Sequence, residues 1–143
     1  MISREKMGLA AYALSKRAVF LRVLMVFVGV SGFFSVLFGA WLAHAGQALP
    51  LSSQESLATA LKYQFFHTLA LLAVITWLRA NGLSKIAIAC CFAFIFGILF
   101  FCGSIYLKLL FGVEGISKLS PLGGIFLASA WLLLAFESKN ILD

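Results

Sequence analysis

The chain has 143 residues, of which 63% are hydrophobic and only 11% are charged. This balance leaves too little polar surface for a soluble globular domain, which excludes the function classes that need one. The formal charge of +6 would suit nucleic acid, but the eleven lysines and arginines are scattered between apolar stretches and form no dense patch. The lipid bilayer is therefore the expected partner, and nucleic acid is not.

Four apolar stretches approach the twenty or so residues that cross a hydrocarbon core of about 30 Å. The pattern predicts an all-α integral membrane bundle of four transmembrane helices, at about 23–44, 57–78, 86–106 and 121–136. These helices form one transmembrane domain over 23–137, between a basic interfacial segment over 1–22 and a short cytoplasmic tail over 138–143. Connectors this short predict that neighbouring helices run antiparallel.

The start of the second helix carries a signal of its own. Pro50 is followed by Ser52 and, three residues later, by Glu55, a spacing typical of a capping box. We therefore expect the Ser52 side chain to cap this helix.

The basic residues predict which way the bundle faces. Eight of the eleven flank one side, namely the N-terminal segment, the loop with Arg79 and Lys85, and the tail with Lys139. The other three fall on the opposite side. Short flanks rich in Lys and Arg stay in the cytoplasm, so both termini are predicted to be cytoplasmic.

Small side chains recur every four residues along two of the helices, which places them on one helix face. The first helix carries such a stripe at Ser31, Ser35 and Gly39, and the third carries one at Ala89, Ala93 and Gly97. Small residues let membrane helices approach closely. Both stripes are interpreted as helix-packing surfaces within the bundle.

The polar residues of the predicted helices gather toward the non-cytoplasmic side, and they form the candidate polar cluster or ligand-binding site of the chain. Its members are His44, Tyr63, Gln64, His67, Ser104, Tyr106 and Ser120. His67 is the most informative of them, because counting back from Arg79 places it roughly 18 Å into the bilayer, where a polar group is costly. Tyr63 and Gln64 lie one turn earlier and share its face.

His67 has three interpretations. Its imidazole either bonds to Ser104, Tyr106 or Gln64 across helices, or it serves a proton relay or a ligand, because imidazole titrates near neutral pH. Metal binding is the third, but His44, His67 and Cys102 show no recognisable ligand spacing, so no metal and no other cofactor are predicted. No catalytic residue is predicted either, since the five acidic residues all fall outside the predicted spans.

Four motifs follow one another along the chain: GAWLAH at 39–44, YQFFH at 63–67, FCGSIY at 101–106 and LSPLGG at 119–124. Together with Trp131 they resemble the YgdD-like family. This is a group of small inner-membrane proteins, with relatives among small mitochondrial membrane proteins, whose domain has no known function. The resemblance covers about 32–131 and implies a four-helix fold without implying a reaction.

Three positions depart from the family pattern: Trp41 stands where Phe is usual, Ala43 where Gly is usual, and Cys102 where Ser is usual. The resemblance emphasises the residues that match, which are His44, Tyr63, Gln64, His67, Gly103, Ser104, Tyr106, Pro121, Gly123 and Gly124. The three glycines of this set are expected in helix packing.

Three functions are compatible with this sequence. The first is a structural or accessory protein that interacts within a membrane assembly, as a homo-oligomer or in a complex with another membrane protein. The second is a small transporter or ligand-binding protein that uses the polar cluster. The third is a lipid or quinone site between helices, walled by Phe65, Phe66, Phe100 and Phe101. The expected location is a bacterial inner membrane, with a mitochondrial membrane as the alternative.

Overall fold

The structure, a computed structural model, describes residues 4–137 of the chain. It contains five α-helices: α1 (Arg4–Ala43), α2 (Leu51–Asn81), α3 (Lys85–Gly97), α4 (Gly103–Phe111) and α5 (Leu119–Glu137). A π-helical turn, Ile98–Cys102, joins α3 to α4 without a break. Short 3-10 segments, Ala45–Ala48 and Ile116–Lys118, precede α2 and α5. No strand occurs in the part of the chain that the structure describes.

Within residues 4–137, four helical stretches are long and apolar enough to cross a membrane. They are Leu14–Ala43, Leu51–Asn81, Lys85–Phe111 and Ile116–Glu137, called the first to fourth spans below. Continuous helices form here because hydrocarbon offers no partner for backbone N–H and C=O groups, which must then bond within their own segment. The predicted all-α bundle of four transmembrane helices is confirmed.

Neighbouring spans run antiparallel, as contacts at their ends show. The Arg17 side chain reaches the carbonyl of Leu78, so the first span starts where the second ends. The Ser84 hydroxyl bonds to the carboxylate of Glu137, which joins the start of the third span to the end of the fourth. We call the end of the bundle that holds these contacts the terminal end, and the end with the 44–50 connector the opposite end.

Helix boundaries extend beyond the predicted spans. The α1 helix begins at Arg4 and has no break between residues 22 and 23, and α2 begins at Leu51, six residues before the predicted 57. Hydrophobicity marks only the stretch that fits hydrocarbon, whereas a helix continues for as long as its backbone bonds persist. The interfacial position of 1–22 stays a prediction, and the tail over 138–143 lies outside the described residues.

The capping box predicted for the second helix is wrong. The residue in the cap position is Pro50, in an extended conformation, and no side-chain cap bond forms there. Because the helix already begins at Leu51, Ser52 falls inside the first turn and is placed too late to cap it. Its carbonyl instead accepts a hydrogen bond from the Ser56 hydroxyl at 2.9 Å.

Two apolar clusters make up the core. The larger includes Leu71, Leu78 and Phe94, all fully buried, and the smaller includes Leu57 and Cys102 nearer the opposite end. Buried polar side chains from all four spans lie in the same interior. Their partners decide what the bundle can do.

Candidate functional site

Side chains from the first three spans form one buried hydrogen-bond network, called the polar junction below. Its members are Ser31 and Ser35 of the first span, Gln64 and Thr68 of the second, and Tyr106 of the third. Each of them is less than a tenth exposed. The network therefore ties three helices together inside the bundle.

Gln64 is the centre of the polar junction. Its Oε1 accepts a hydrogen bond from the Tyr106 hydroxyl at 2.9 Å. Its Nε2 donates to the Ser31 hydroxyl at 3.1 Å and to the Ser31 carbonyl at 3.3 Å. An amide group has both a donor and an acceptor side, so this one side chain can link two other helices at once.

The periodicity of the helices brings the remaining members together. Gln64 and Thr68 are four residues apart on one face of the second span, and the Thr68 hydroxyl lies 2.7 Å from that of Ser31. Ser35, four residues after Ser31, donates to the Ser31 carbonyl at 2.9 Å. The rings of Phe34 and Phe38 pack against Tyr106 and complete the apolar surroundings.

A second polar contact joins the third and fourth spans near the opposite end. The hydroxyls of Ser104 and Ser120 lie 2.6 Å apart, and both reach the carbonyl of Phe101, at 3.1 and 3.4 Å. Phe101 belongs to the π-helical turn, where the backbone bonding pattern shifts from the α-helical one. We call Ser104 and Ser120 the serine pair, and the Phe101 carbonyl is their shared acceptor.

The serine pair borders a cavity of about 380 Å³ that opens at the opposite end. One carboxylate, Glu55, and one ammonium, Lys108, line it together with the hydroxyls of Ser56, Thr59, Ser104, Ser117 and Ser120. Glu55 and Lys108 are themselves exposed. The cavity, called the outer cavity below, therefore combines both charges with several hydrogen-bonding groups.

His67 is buried, but it is not joined to the polar junction by any hydrogen bond that the structure shows. Its Nδ1 lies 2.6 Å from the carbonyl of Tyr63, one turn earlier on the same helix. Its ring packs near the rings of Phe94 and Trp131. The three partners considered for His67, namely Ser104, Tyr106 and Gln64, all bond elsewhere.

The structure divides the seven residues of the predicted cluster among four places. Gln64 and Tyr106 meet in the polar junction, while Ser104 and Ser120 form the serine pair. His67 and Tyr63 lie on the second span, where Tyr63 is 42% exposed and stacks against Phe101. His44 is exposed at the end of the first span and makes no side-chain cap bond.

Sequence reasoning missed Thr68 and treated Ser31 and Ser35 as packing residues only. Thr68 could have been found from its spacing, because it lies one turn after Gln64 on the same face. The two serines do lie in the helix contact, where they also bond. A small polar residue in a membrane helix can fill both roles.

Two of the predicted packing glycines lie where the third and fourth spans cross, called the glycine crossing below. A Cβ on Gly123 would overlap the backbone nitrogen of Phe101 and lie 2.7 Å from the Phe100 carbonyl carbon. A Cβ on Gly97 would overlap the Leu127 side chain and would lie 3.0 Å from the Leu127 nitrogen. Only a residue without a side chain allows two backbones to approach so closely.

The other predicted packing residues make looser contacts. A Cβ on Gly39 would lie 3.3 Å from a Leu61 methyl and one on Gly124 would lie 4.0 Å from the Phe101 ring, whereas Gly103 has open space around it. Ala93 is buried, but Ala89 is exposed. Four residues turn a helix about 40° past a full circle, so a stripe at this spacing drifts away from its contact face.

The phenylalanines considered for a quinone site differ in exposure and in their contacts. Phe65 and Phe66 are 44% and 60% exposed, and Phe65 borders a cavity of about 360 Å³ between the first two spans. Phe101 packs against Tyr63 instead. Among the residues that the structure describes, no group of three or more His, Cys, Asp or Glu side chains lies close enough to hold a metal ion.

Comparison with known proteins places this bundle in a family. A family model described as "Protein of unknown function (DUF423)" matches residues 38–124, from the first span into the fourth. A UPF0382 membrane protein of Haemophilus influenzae is 34% identical over 82% of this chain and 96% of its own length. The chain belongs to this family of membrane proteins. No solved structure matches it.

Further relatives indicate the membrane in which this family member resides. The UPF0382 inner membrane protein YgdD of Escherichia coli is 29% identical over 79% of this chain and 86% of its own length. A UPF0382 membrane protein of Staphylococcus saprophyticus is 30% identical over 85% of this chain and all of its own. With its four spans, the protein is a multi-pass inner-membrane protein of a family whose function is unknown.

Proposed function

We propose that this protein is a small, non-catalytic structural or accessory component of an inner-membrane assembly. The observation that carries the proposal is the polar junction, in which buried polar groups of three spans bond to one another. Polar side chains at such depth are costly unless they have partners or face a wet cavity. Here they have partners, so the interior serves to hold the bundle together and the outer surface is left for association.

The lateral surface offers room for such association. The fourth span packs mainly on the third, and Ile125, Leu132 and Phe136 are each more than half exposed on it. In lipid, helices associate by close packing and not by hydrophobic burial, so apolar exposure alone does not select a partner. The test must therefore detect contact of defined geometry in the native membrane.

Site-directed photocrosslinking provides that test. A photoreactive residue placed at Leu132 should give one protein adduct of fixed mass, from a second copy or another membrane protein. Placed at the buried Leu127, it should give none. Discrete adducts from Leu132, together with a complex of the same mass in native mass spectrometry, support the proposal. Lipid adducts alone at Leu132 and Ile125, with a monomer in native mass spectrometry, contradict it.

We also propose that both termini face the cytoplasm. Arg17, Arg22, Arg79 and Lys85 all lie at the terminal end, and short basic flanks are retained on the cytoplasmic side. Single cysteines introduced at Lys85 and at Glu114, in a variant whose native cysteines are replaced by alanine, distinguish the two orientations. An impermeant thiol reagent added to intact cells should label the residue at 114 and spare the residue at 85, and the reverse pattern contradicts the orientation.

A second candidate function is the binding of a small polar ligand in the outer cavity. The specific observation in its favour is that Glu55 and Lys108 place opposite charges around one cavity lined by hydroxyls. A zwitterion would match both charges.

Thermal unfolding measured with a panel of amino acids should then show stabilisation that Glu55→Gln and Lys108→Gln abolish. The matched changes Glu114→Gln and Lys118→Gln, outside the cavity lining, should leave that stabilisation intact, and no stabilisation by any panel member contradicts this function.

A further inference from the structure

Three arginines surround a cavity of about 580 Å³ between the first and second spans, at the terminal end. We call it the arginine groove. Its lining residues are Leu14, Arg17, Ala18, Leu21, Arg22, Met25, Ile75, Thr76 and Arg79. The groove belongs neither to the polar junction nor to the outer cavity, which use other parts of the first two spans.

Arg17 is held in a fixed position in this groove. Its Nη2 donates to the carbonyls of Leu78 and Arg79, both at 2.9 Å, at the C-terminal end of the second span. Both carbonyls belong to the last turn of the helix, where the negative end of the helix dipole favours a cation, and the Leu78 carbonyl also accepts the Gly82 N–H at 3.1 Å. Nε and Nη1 of the same guanidinium carry its other three N–H donors. The contact therefore orients a charged donor group before any ligand arrives.

The groove lining is positively charged. Arg22 and Arg79 are exposed beside the half-buried Arg17, and the lining contains no carboxylate. Among the carboxylates whose side chains the structure describes, Glu55 lines the outer cavity, Glu114 lies in the loop after α4, and Glu137 accepts a bond from Ser84. Three guanidinium groups around one cavity match a phosphate, because a guanidinium presents paired donors that fit its oxygens.

Past Arg17 and Arg79 the lining is mostly apolar, with Arg22 and Thr76 as its polar members. Along the first span Leu21 and Met25 follow Arg17 toward the middle of the bundle, and along the second span Ile75 precedes Arg79. Eight residues of helix separate Arg17 from Met25, which is about 12 Å along the axis. The charged part therefore lies at the membrane surface and the apolar part extends into hydrocarbon, in the order of a phospholipid headgroup and its acyl chain.

We propose that the arginine groove binds an anionic phospholipid. Its phosphate lies between Arg17, Arg22 and Arg79, and the upper part of one acyl chain packs along Leu21 and Met25. Charge complementarity selects an anionic headgroup, as in basic pockets between transmembrane helices. The apolar part of the groove favours a lipid over a free phosphate ion, because only a lipid has an acyl chain to pack there. This site is independent of the structural role proposed above, since neither requires the other.

The test uses the full chain in nanodiscs of phosphatidylcholine with a minor fraction of phosphatidylglycerol, with native mass spectrometry to count the lipids that stay bound. The wild-type protein should retain phosphatidylglycerol in excess of its share of the bilayer. The double variant Arg22→Gln/Arg79→Gln should lose about tenfold of that preference. The matched variant Lys16→Gln/Lys85→Gln removes the same charge at the same end, outside the groove lining, and should keep the preference within about twofold.

Two further arms separate a lipid site from weaker alternatives. Ala18→Trp fills the groove without changing its charge and should abolish the preference, and it remains informative if the double arginine variant does not fold. Added inorganic phosphate should leave the bound lipid in place. Equal retention of both lipids by the wild type, equal losses in both double variants, or displacement of the lipid by phosphate would each overturn the proposal.

Discussion

The glycine crossing and the polar junction hold helices together in opposite ways. At the glycine crossing the third and fourth spans approach closely, because Gly123 lies against the Phe101 backbone and Gly97 lies against Leu127 without a side chain of its own. At the polar junction the first three spans are separated by side chains, and Gln64 bridges them by hydrogen bonds. Both devices suit a membrane, where lipid tails are as apolar as the helices and burial alone drives little association.

The difference predicts which kind of substitution disrupts each contact. A close backbone approach tolerates no added atom, so one methyl group is enough to disrupt it. A hydrogen-bonded junction tolerates changes of volume better, but it depends on every donor keeping an acceptor. The first contact should therefore fail by steric overlap and the second by loss of partners. Substitutions can separate these two kinds of failure.

The largest effect is expected from Gly123→Ala at the glycine crossing. The new Cβ would overlap the Phe101 backbone, so the third and fourth spans must move apart, at a cost of about 3 kcal/mol in the free energy of unfolding. Equilibrium unfolding by sodium dodecyl sulfate in mixed micelles measures the change. The neighbouring Gly124→Ala is the control, because its Cβ would make an ordinary contact at 4.0 Å and cost less than about 0.5 kcal/mol. Equal losses in the two variants would show that the crossing is no tighter than its surroundings.

The next effect in size is expected from Gln64→Leu at the polar junction. The change keeps side-chain volume but leaves the Tyr106 hydroxyl without its acceptor and removes the donor to Ser31, so about 2 kcal/mol should be lost. The same unfolding measurement applies. Tyr63→Leu, one residue earlier on an exposed position, is the control and should cost less. A Gln64→Leu variant as stable as the wild type would mean that the junction contributes nothing to holding the helices.

Two threonines of the second span allow an interhelical hydrogen bond to be compared with one inside the helix. Thr68 bonds across helices to Ser31, whereas the exposed Thr76 bonds only to the Leu72 carbonyl of its own helix. Thr68→Val should cost about 0.6 kcal/mol, typical of an interhelical bond in a membrane protein, and Thr76→Val should cost nearly nothing. Identical effects for the two substitutions would remove the distinction between interhelical and local bonds.

The smallest effect is expected at the serine pair. In Ser120→Ala the Ser104 hydroxyl still donates to the Phe101 carbonyl, so the loss in stability should stay below about 0.5 kcal/mol. Ser104→Ala removes the shorter bond to that carbonyl and should cost more. The reverse order would indicate that Ser120 supplies the main bond to the π-helical turn.

The spans and the meeting of Gln64 with Tyr106 could be predicted from sequence, because both follow from apolar length and antiparallel order. The separation of His67 from Gln64 could not be predicted. The two residues are three positions apart and share a broad helix face, but only the exact packing of the second span decides which of them reaches Ser31.

The role of Arg17 could not be read from the sequence either. A basic residue before an apolar stretch is typical of the headgroup region, and this interpretation accounts for the charge without any partner. Its bonds to Leu78 and Arg79 exist only because the second span ends beside the first. The π-helical turn at Ile98–Cys102 has no evident sequence signal for the same reason, since it lies where the third span crosses Gly123.

The most direct test of the account is hydrogen exchange at the side-chain amides of the three glutamines, measured by NMR on the full chain in nanodiscs. The central claim is that the polar junction is a closed set of helix-to-helix bonds. It predicts slow exchange at the buried Gln64, and faster exchange at the exposed Gln47 and the half-buried Gln54. Exchange at Gln64 as fast as at Gln47 would mean that water reaches the junction, and the interior would then have to be treated as a path or a binding site.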